Sequence, residues 1–547
     1  MNYIDGIIID IENKTSFPGS VVIDDDRILE IKKADVYEIL SDRFSKKLPY
    51  ILPGFIDSHL HLDLTKVSPS EYARLAFSQG VVGAVVDCHD IVSVLGKNGL
   101  LTLIENSKNT PFYFGFSAPS RITNGYTVND IAELLSMDEV THLGEIKDFP
   151  SVILHEQYLE QLYNLAKKYN KPIDGYAPGV TRHNLIEYCK SPISTDHECY
   201  SYEDTLEKIL AGLKVQIQTR TNFEFSQLKK IFEDYSENLM LCSQIIFGPN
   251  IPKGYLNKSV KQLINLDFDI FSVLKAACIN PIKHYKLKTG CLKKGDYADF
   301  ILVDSSYNFE VLKTYIKGKC VYDQNNIVKS ELNLLKPVET IKSKFISQDD
   351  IKIISEKDFV DVNVINAVDD EINTVRSIFR MTVKNGLICS DTKQDILKTV
   401  LVDRKGISKP SVAFVHGFGI KHGALAISIS HDEHNLTSVG VKDKDIVVAM
   451  NRVIEIGGGF VYAIDGKVVA EIPLKFAGLI STLTAEELTE QFEKVRPIIR
   501  DKMKCTIKHP IHTLSYLSDI EIPSLKLSLK GLFNVPGQEF IDLVCRD

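Results

Sequence analysis

The sequence predicts an α/β protein: a distorted TIM-like (β/α) barrel with a small flanking β-sandwich domain and a C-terminal α/β domain. Three observations carry this reading. Short apolar segments alternate with amphipathic ones between about residues 50 and 289, strand-like runs without helices lie on both sides of that stretch, and a third region mixes both kinds of element. Alternation of this kind implies a parallel sheet, and about seven βα units favour a closed barrel over an open sheet. At 547 residues the chain is too long for one hydrophobic core, so two or three domains are expected.

Taken in order, "DGIIIDI" and "GSVVIDDDRILEI" are β-rich runs separated by "NKTSFPG", whose Pro-Gly reads as a turn. They begin a small β domain over residues 1–49. Residues 50–289 hold the barrel, with strands at "GVVGAVVD", "FYFGFSA", "HLGEI", "KPIDGYA", "LKVQIQT" and "NLMLCSQII" and helices at "PSEYARLAFSQ", "EQYLEQLYNLAKKYN" and "YEDTLEKILAGL". After "TGCLKKGDYADFILVD" strand-like segments resume through "VLKTYIKGKCVYD", so residues 290–335 are expected to complete the sheet begun at 1–49. The Lys-rich, glycine-free stretch 336–358 reads as a connection. Residues 359–547 mix strands ("PSVAFVHGFG", "ALAISISHD", "GGGFVYAIDGKVVAEI") with helices ("KDIVVAMNRVIEIG", "TAEELTEQFEKVRPIIRDKM"), and "TAEE" has the form of an N-cap with a capping box.

Bulk properties narrow the function. No stretch runs for about 18 apolar residues without interruption, and the N-terminus "MNYIDGIIIDIENK" lacks the basic start of a signal peptide. A cytoplasmic protein without a membrane partner is expected. Ten cysteines without CxxC pairs fit reduced thiols better than a disulfide framework or a thiolate zinc site. A net charge of −8 without basic clusters argues against nucleic acid and turns attention to small molecules.

The segment "LPGFIDSHLHLD", residues 52–63, places His59 and His61 two apart at the end of an apolar run. Alternate residues of a strand point to one side, and strand ends converge on one mouth of a barrel, so the pair has the geometry that one divalent metal needs from two imidazoles. Two surface histidines after a strand would look the same.

"PGFIDSHLH" resembles the opening metal motif of the amidohydrolase superfamily, and "GVVGAVVDCHDI", "HLGEIKDFP", "DGYAPG", "STDHE" and "AACINPIKHYKL" fall in the order found in its adenine deaminase family. The likeness continues through "GFGIKHGALAISISHDEHN", "GGGFVYAIDGKV", "PLKFAGLIS" and "SLKLSLKGLFNV". It implies a binuclear metal hydrolase that converts adenine to hypoxanthine and ammonia, with manganese the leading metal, iron or zinc as alternatives, and one or two ions bound. By position, His59 and His61 would bind the first metal, Glu145 would bridge both, and His197 would bind the second. His89 and Asp90 would face the purine substrate, and a homodimer is expected. Read without the resemblance, Glu145 is also a plausible loop carboxylate, His197 part of a helix-capping surface cluster, and His89 a satisfied core histidine.

This chain departs from the family pattern at defined places. Tyr176 stands for a histidine, and Ser243, Gln244 and Ile245 stand for Thr-Asp-Asp, whose aspartate would bind metal and shuttle protons. Gln218 replaces an arginine, Tyr255 a histidine and Asp90 a glutamate. Gln244 and Ile245 cannot take a proton from water, so Asp196 and Glu198 are the candidate replacements. Catalysis is therefore assigned to Glu145, His89 and Glu198, with general acid–base work worth about 10²- to 10⁴-fold. In the third region "SHDEHN" is the densest polar cluster, and His431 and His434 are its candidates for substrate binding. His431-Asp432-Glu433 lacks the PCxxC that the other zinc deaminase class requires, "HGFGIKHG" and "EIGGGF" match no phosphate-binding loop, and no GxSxG elbow occurs. An adenine deaminase-like hydrolase leads. Two alternatives stand beside it: a catalytically silent relative that binds a purine or a partner, and a mononuclear hydrolase of another amide or amidine.

Overall fold

The computed structural model describes residues 1–39, 47–122, 125–219, 225–326, 333–369, 371–431 and 433–545. They divide into two compact units, one of residues 1–92 and 96–334, the other of residues 93–95 and 335–547.

In the first unit β1 (Asn2–Asp10), β2 (Thr15–Asp24) and β3 (Arg27–Lys33) form an antiparallel meander, and β4 (Tyr50–Pro53) lies parallel to β1. The chain then enters a ring of eight parallel strands in two arcs. The first arc is β5 (Phe55–His61), β6 (Val81–Asp87), β7 (Tyr113–Ala118), β8 (Val140–Ile146) and β9 (Ile173–Gly175); the second is β10 (Thr195–Asp196), β11 (Lys214–Gln218) and β12 (Leu239–Cys242). Every residue of β5 and β6 is buried, as expected of strands covered on both faces.

Main-chain bonds join the arcs. On one side the Ser194 N–H donates to the Ile173 carbonyl at 3.0 Å. On the other, the His61 N–H donates to the Gln244 carbonyl and the Gln244 N–H to the His59 carbonyl, both at 2.9 Å. Gln244 makes this closure from a left-handed backbone, φ 57°. The sequence-based reading of a distorted barrel is therefore the observed fold; the distortion is the split into two arcs and the shortness of β9 and β10.

Helices follow the strands with identifiable starts. Ser68 caps Pro69–Phe77 by accepting from the Glu71 N–H, Thr127 and Asp130 form a capping box before Val128–Leu135, and Ser201 caps Tyr202–Leu210. Beyond the barrel, β13 (Phe300–Val303), β14 (Val311–Ile316) and β15 (Lys319–Asp323) return beside β4, giving a seven-stranded sheet in the order β15-β14-β13-β4-β1-β2-β3. Ile8, Val21, Ile28 and Ile51 from its first part share one core with Phe300 and Leu302 from its last.

The second unit is built on nine strands: β16 (Phe359–Ala367), β17 (Thr374–Lys384), β18 (Leu387–Ile388), β19 (Ile396–Val402), β20 (Ser411–His416), β21 (Ala424–Ile427), β22 (Leu436–Gly440), β23 (Gly459–Ile464) and β24 (Lys467–Pro473). Their order is β18-β17-β16-β20-β19-β22-β21-β23-β24. Helix Asp443–Glu455 lays Ile446, Ala449, Met450 and Val453 on Val400, Ala426 and Val461. Residues 336–358, which the sequence presents as a connection, add Ile346 and Ile351 to this core. The capping box read in "TAEE" is present, Thr484 with Glu487, ahead of Ala485–Pro497.

One buried cation organises the loops of this unit. The Arg404 guanidinium donates to the Thr340 hydroxyl at 2.8 Å, to the Ala477 and Ser428 carbonyls at 2.7 Å each, and to the His434 carbonyl. Burial pushes its pKa down to about 10. Arg404→Met is expected to leave these acceptors without donors and to destabilise the protein by about 3 to 5 kcal/mol, read as a fall in the urea midpoint. A loss below about 1 kcal/mol would show that water takes over the bonds.

Candidate metal centre and active site

The site is built at the strand ends of the first arc and at the start of the second. In β5, His59 and His61 flank Leu60, and their rings meet edge to face with centroids 5.0 Å apart. They are only 1 % and 5 % exposed, so they are not a surface pair. Glu145 is the penultimate residue of β8 and is buried. His197 follows β10 directly, also buried, and stacks on His59 with centroids 4.1 Å apart. Glu145 Oε2 lies 3.4 Å from His197 Nε2 and 3.9 Å from His59 Nε2. One ligand atom each from His59, His61 and Glu145 falls within 4.8 Å of the others.

These residues fit a divalent cation. Both ring nitrogens of His59 and His197, Nδ1 of His61 and both oxygens of Glu145 are buried with no hydrogen-bond partner among the described residues, an arrangement that is costly unless something satisfies it. Burial first, then neighbouring positive charge, holds the pKa of His59, His61 and His197 well below the usual imidazole value, so all three present the neutral form that ligates metal. Burial also pushes the Glu145 carboxyl up to about 7, against the opposing charge of Lys147.

Around this ring the neighbours are engaged. Asp87 Oδ1 accepts from the His89 main chain at 2.8 Å and pairs with His89 Nδ1 at 2.9 Å. Burial pushes the Asp87 carboxyl up, but the hydrogen bond and charge of His89 outweigh it and hold it far below the usual range. His89 Nε2 lies 3.1 Å from Asp90 Oδ1 and 3.2 Å from Lys147 Nζ. On the far side of His59, Asp174 Oδ2 is 4.0 Å from Nδ1 and 3.5 Å from His142 Nε2. Thr195 and Tyr285 hold the other Asp174 oxygen at 2.8 Å each.

The positions where this chain departs from the family pattern pair with one another. Gln244 Nε2 donates to Glu198 Oε1 at 2.9 Å, Gln218 Nε2 approaches the same oxygen at 3.4 Å and bonds the His197 carbonyl at 2.9 Å, and the Tyr200 hydroxyl donates to Glu198 Oε2. Glu198 Oε1 is 3.4 Å from His197 Nε2, and burial raises the Glu198 carboxyl. Ser243 Oγ and the Tyr255 hydroxyl both donate to buried Asp57. The Tyr176 ring is tilted against His197 with centroids 5.8 Å apart.

The loop from Asp196 to Glu198 has a two-residue strand behind it, so other bonds must fix it. Asp196 Oδ2 meets fully buried Lys208 Nζ at 2.7 Å, Asp196 Oδ1 accepts from the Ala177 N–H at 3.0 Å, and Lys208 donates to the Glu198 carbonyl at 2.6 Å.

His59, His61, Glu145, His197, Glu198, His89 and Asp90 thus gather at one mouth. His431 and His434 belong to the second unit: His431 pairs with Asp519 at 2.9 Å and stacks on Tyr516, and His434 is buried with its carbonyl on Arg404. Asp432 of the same cluster lies outside the described residues. Sequence reasoning passed over Asp87, Lys147, Asp174, Tyr200 and Lys208; the position of Asp87 at a strand end was the one available signal.

Comparison with known proteins agrees with this geometry. Residues 50–253 and 253–321 match the amidohydrolase family model, and residues 371–539 match that of the adenine deaminase C-terminal domain. An adenine deaminase of Methanosarcina mazei is 33% identical over 564 residues, covering 98% of each chain. That of Methanosarcina barkeri is 34% identical over 556 residues and that of Borreliella burgdorferi 34% over 551, again with 98% of each chain covered. With that identity sustained from one end to the other, across barrel and C-terminal region alike, the chain belongs to the adenine deaminase family of the amidohydrolase superfamily.

Proposed function

We propose that the protein hydrolyses adenine to hypoxanthine and ammonia at the barrel mouth. The observation that carries this is the buried, unpartnered set of His59, His61, Glu145 and His197, in a chain whose full-length relatives are adenine deaminases. A divalent ion, manganese first among the candidates, would be held by these four residues and would supply Lewis acidity that makes water nucleophilic near neutral pH.

The chain's own groups do the rest. Glu198, gripped by Gln244 and Tyr200, carries the proton between water and the purine in place of the family aspartate. Glu145 keeps negative charge next to the three imidazoles. His89, oriented by Asp87, and Asp90 bind the purine edge. His431, oriented by Asp519, and His434 are candidate substrate-binding residues of the C-terminal unit, considered by itself. A cytoplasmic homodimer acting in purine salvage goes with this reading. Among the described residues no helix is long and apolar enough to cross a membrane.

The silent-relative alternative draws no support from the comparisons, since the match to adenine deaminases spans 98% of the chain. The test is product analysis of protein purified with added manganese: hypoxanthine and ammonia are expected in equal amounts from adenine. A folded, metal-loaded protein that binds adenine but releases neither would revive the silent reading.

A further inference from the structure

We propose that the centre holds one divalent cation, on His59, His61 and Glu145 with His197 beside them, and that the Lys147 ammonium supplies the second positive charge. This rests on the metal-hydrolase reading above and goes beyond it.

Among the described residues two groups of three have ligand atoms within 4.8 Å of one another: His59, His61 and Glu145, and His61, Asp87 and His89. Both use His61. A neutral imidazole has a single lone pair to give, so His61 serves one ion at a time and the groups compete. Their hydrogen bonding separates them. In the first, both nitrogens of His59 and both oxygens of Glu145 are buried without a hydrogen-bond partner among the described residues. In the second, Asp87 Oδ1 is taken by the His89 main chain and ring, and His89 Nε2 has Asp90 Oδ1 and Lys147 Nζ within 3.2 Å. Asp87 and His89, the members peculiar to the second group, are engaged by protein atoms, whereas the side chains of His59 and Glu145, peculiar to the first, make no hydrogen bond among the described residues.

Glu145 divides its two oxygens accordingly. Oε2 faces the imidazoles of His197 and His59 at 3.4 and 3.9 Å, while Oε1 faces Lys147 Nζ at 3.5 Å. A carboxylate between a metal and an ammonium has the charge balance of one bridging two cations, and a compact lysine point charge at that spot repels a second ion. The phenol of Tyr176 and the amide of Gln244 add no anionic ligand for one. Lys147 is thus a residue of the centre that sets how many ions it holds.

The experiment loads wild type, Lys147→Arg and Lys147→Met with excess manganese chloride, removes free ion, and measures manganese per chain together with the electron paramagnetic resonance spectrum. Wild type and Lys147→Arg are expected to hold one equivalent, with the hyperfine pattern of an isolated Mn²⁺ ion, and Lys147→Met to take up a second equivalent as manganese is raised. Two equivalents with a coupled-pair spectrum in wild type would overturn the single-ion assignment. One equivalent in all three proteins at every concentration would overturn the role of Lys147. No manganese in folded wild type would instead sink the metal-hydrolase reading on which both stand.

Discussion

The His59→Ala/His61→Ala variant is expected to lose its metal and at least about 10⁴-fold in ammonia release from adenine. The reasoning starts from the strand. Two imidazoles two residues apart on β5 face the same side, both are buried, and both are held neutral by that burial, which leaves them suited to ligation and to little else. Without a metal, water must be activated from a pKa of about 15.7 instead of about 7, a gap that no carboxylate in the pocket closes. Because alanine removes two imidazoles whose buried nitrogens have no hydrogen-bond partner among the described residues, the variant is expected to fold about as stably as metal-free wild type and to lose only the stabilisation that bound metal adds. Metal analysis and thermal unfolding check the two halves separately. A metal-free double variant that still turns over adenine would move the chemistry away from this mouth.

Glu198→Gln is expected to lower kcat by about 10²- to 10⁴-fold with little change in KM. Its shape is kept, and Gln244 and Tyr200 retain a side chain to bond, but no group in that position then takes up a proton. Gln244→Leu is expected to cost about fivefold, since it removes one hydrogen bond to Glu198, worth about 1 kcal/mol, and leaves the carboxylate itself in place. Steady-state kinetics on the two variants distinguishes the carrier from the residue that holds it. Equal losses in both, or wild-type rates for Glu198→Gln, would assign the proton to another group.

The barrel was legible because its strands are separate apolar runs bounded by polar turns and alternate with amphipathic segments such as the one that forms Pro69–Phe77. The HxH pair was legible because the two-residue period of a strand translates spacing into direction. Thr195–Asp196 was not, since a two-residue strand has no periodicity to detect; its place is set by Lys208 reaching Asp196 from the next helix. Lys147 and Asp174 escaped notice for a related reason. A lysine just past a strand, or an aspartate inside a three-residue one, reads as solvated surface until the fold brings Glu145 Oε1 to within 3.5 Å of the one and His59 Nδ1 to within 4.0 Å of the other. The departures at Gln218, Gln244, Ser243 and Tyr255 look like scattered loss in one dimension. In three they form two pairs, one on Glu198 and one on Asp57.

The seam that closes the barrel runs through Gln244, yet it uses only that residue's main chain: the N–H to His59 and the carbonyl to His61. Any amino acid except proline makes the same two bonds, and the left-handed backbone there suits asparagine or aspartate at least as well as glutamine. Architecture and reactivity are thereby uncoupled at one position. A lineage can exchange the side chain at 244, and with it the group that touches Glu198, while the ring of strands stays shut. Variation at this residue among related chains is expected to track changes of reaction chemistry and to leave thermal stability nearly constant.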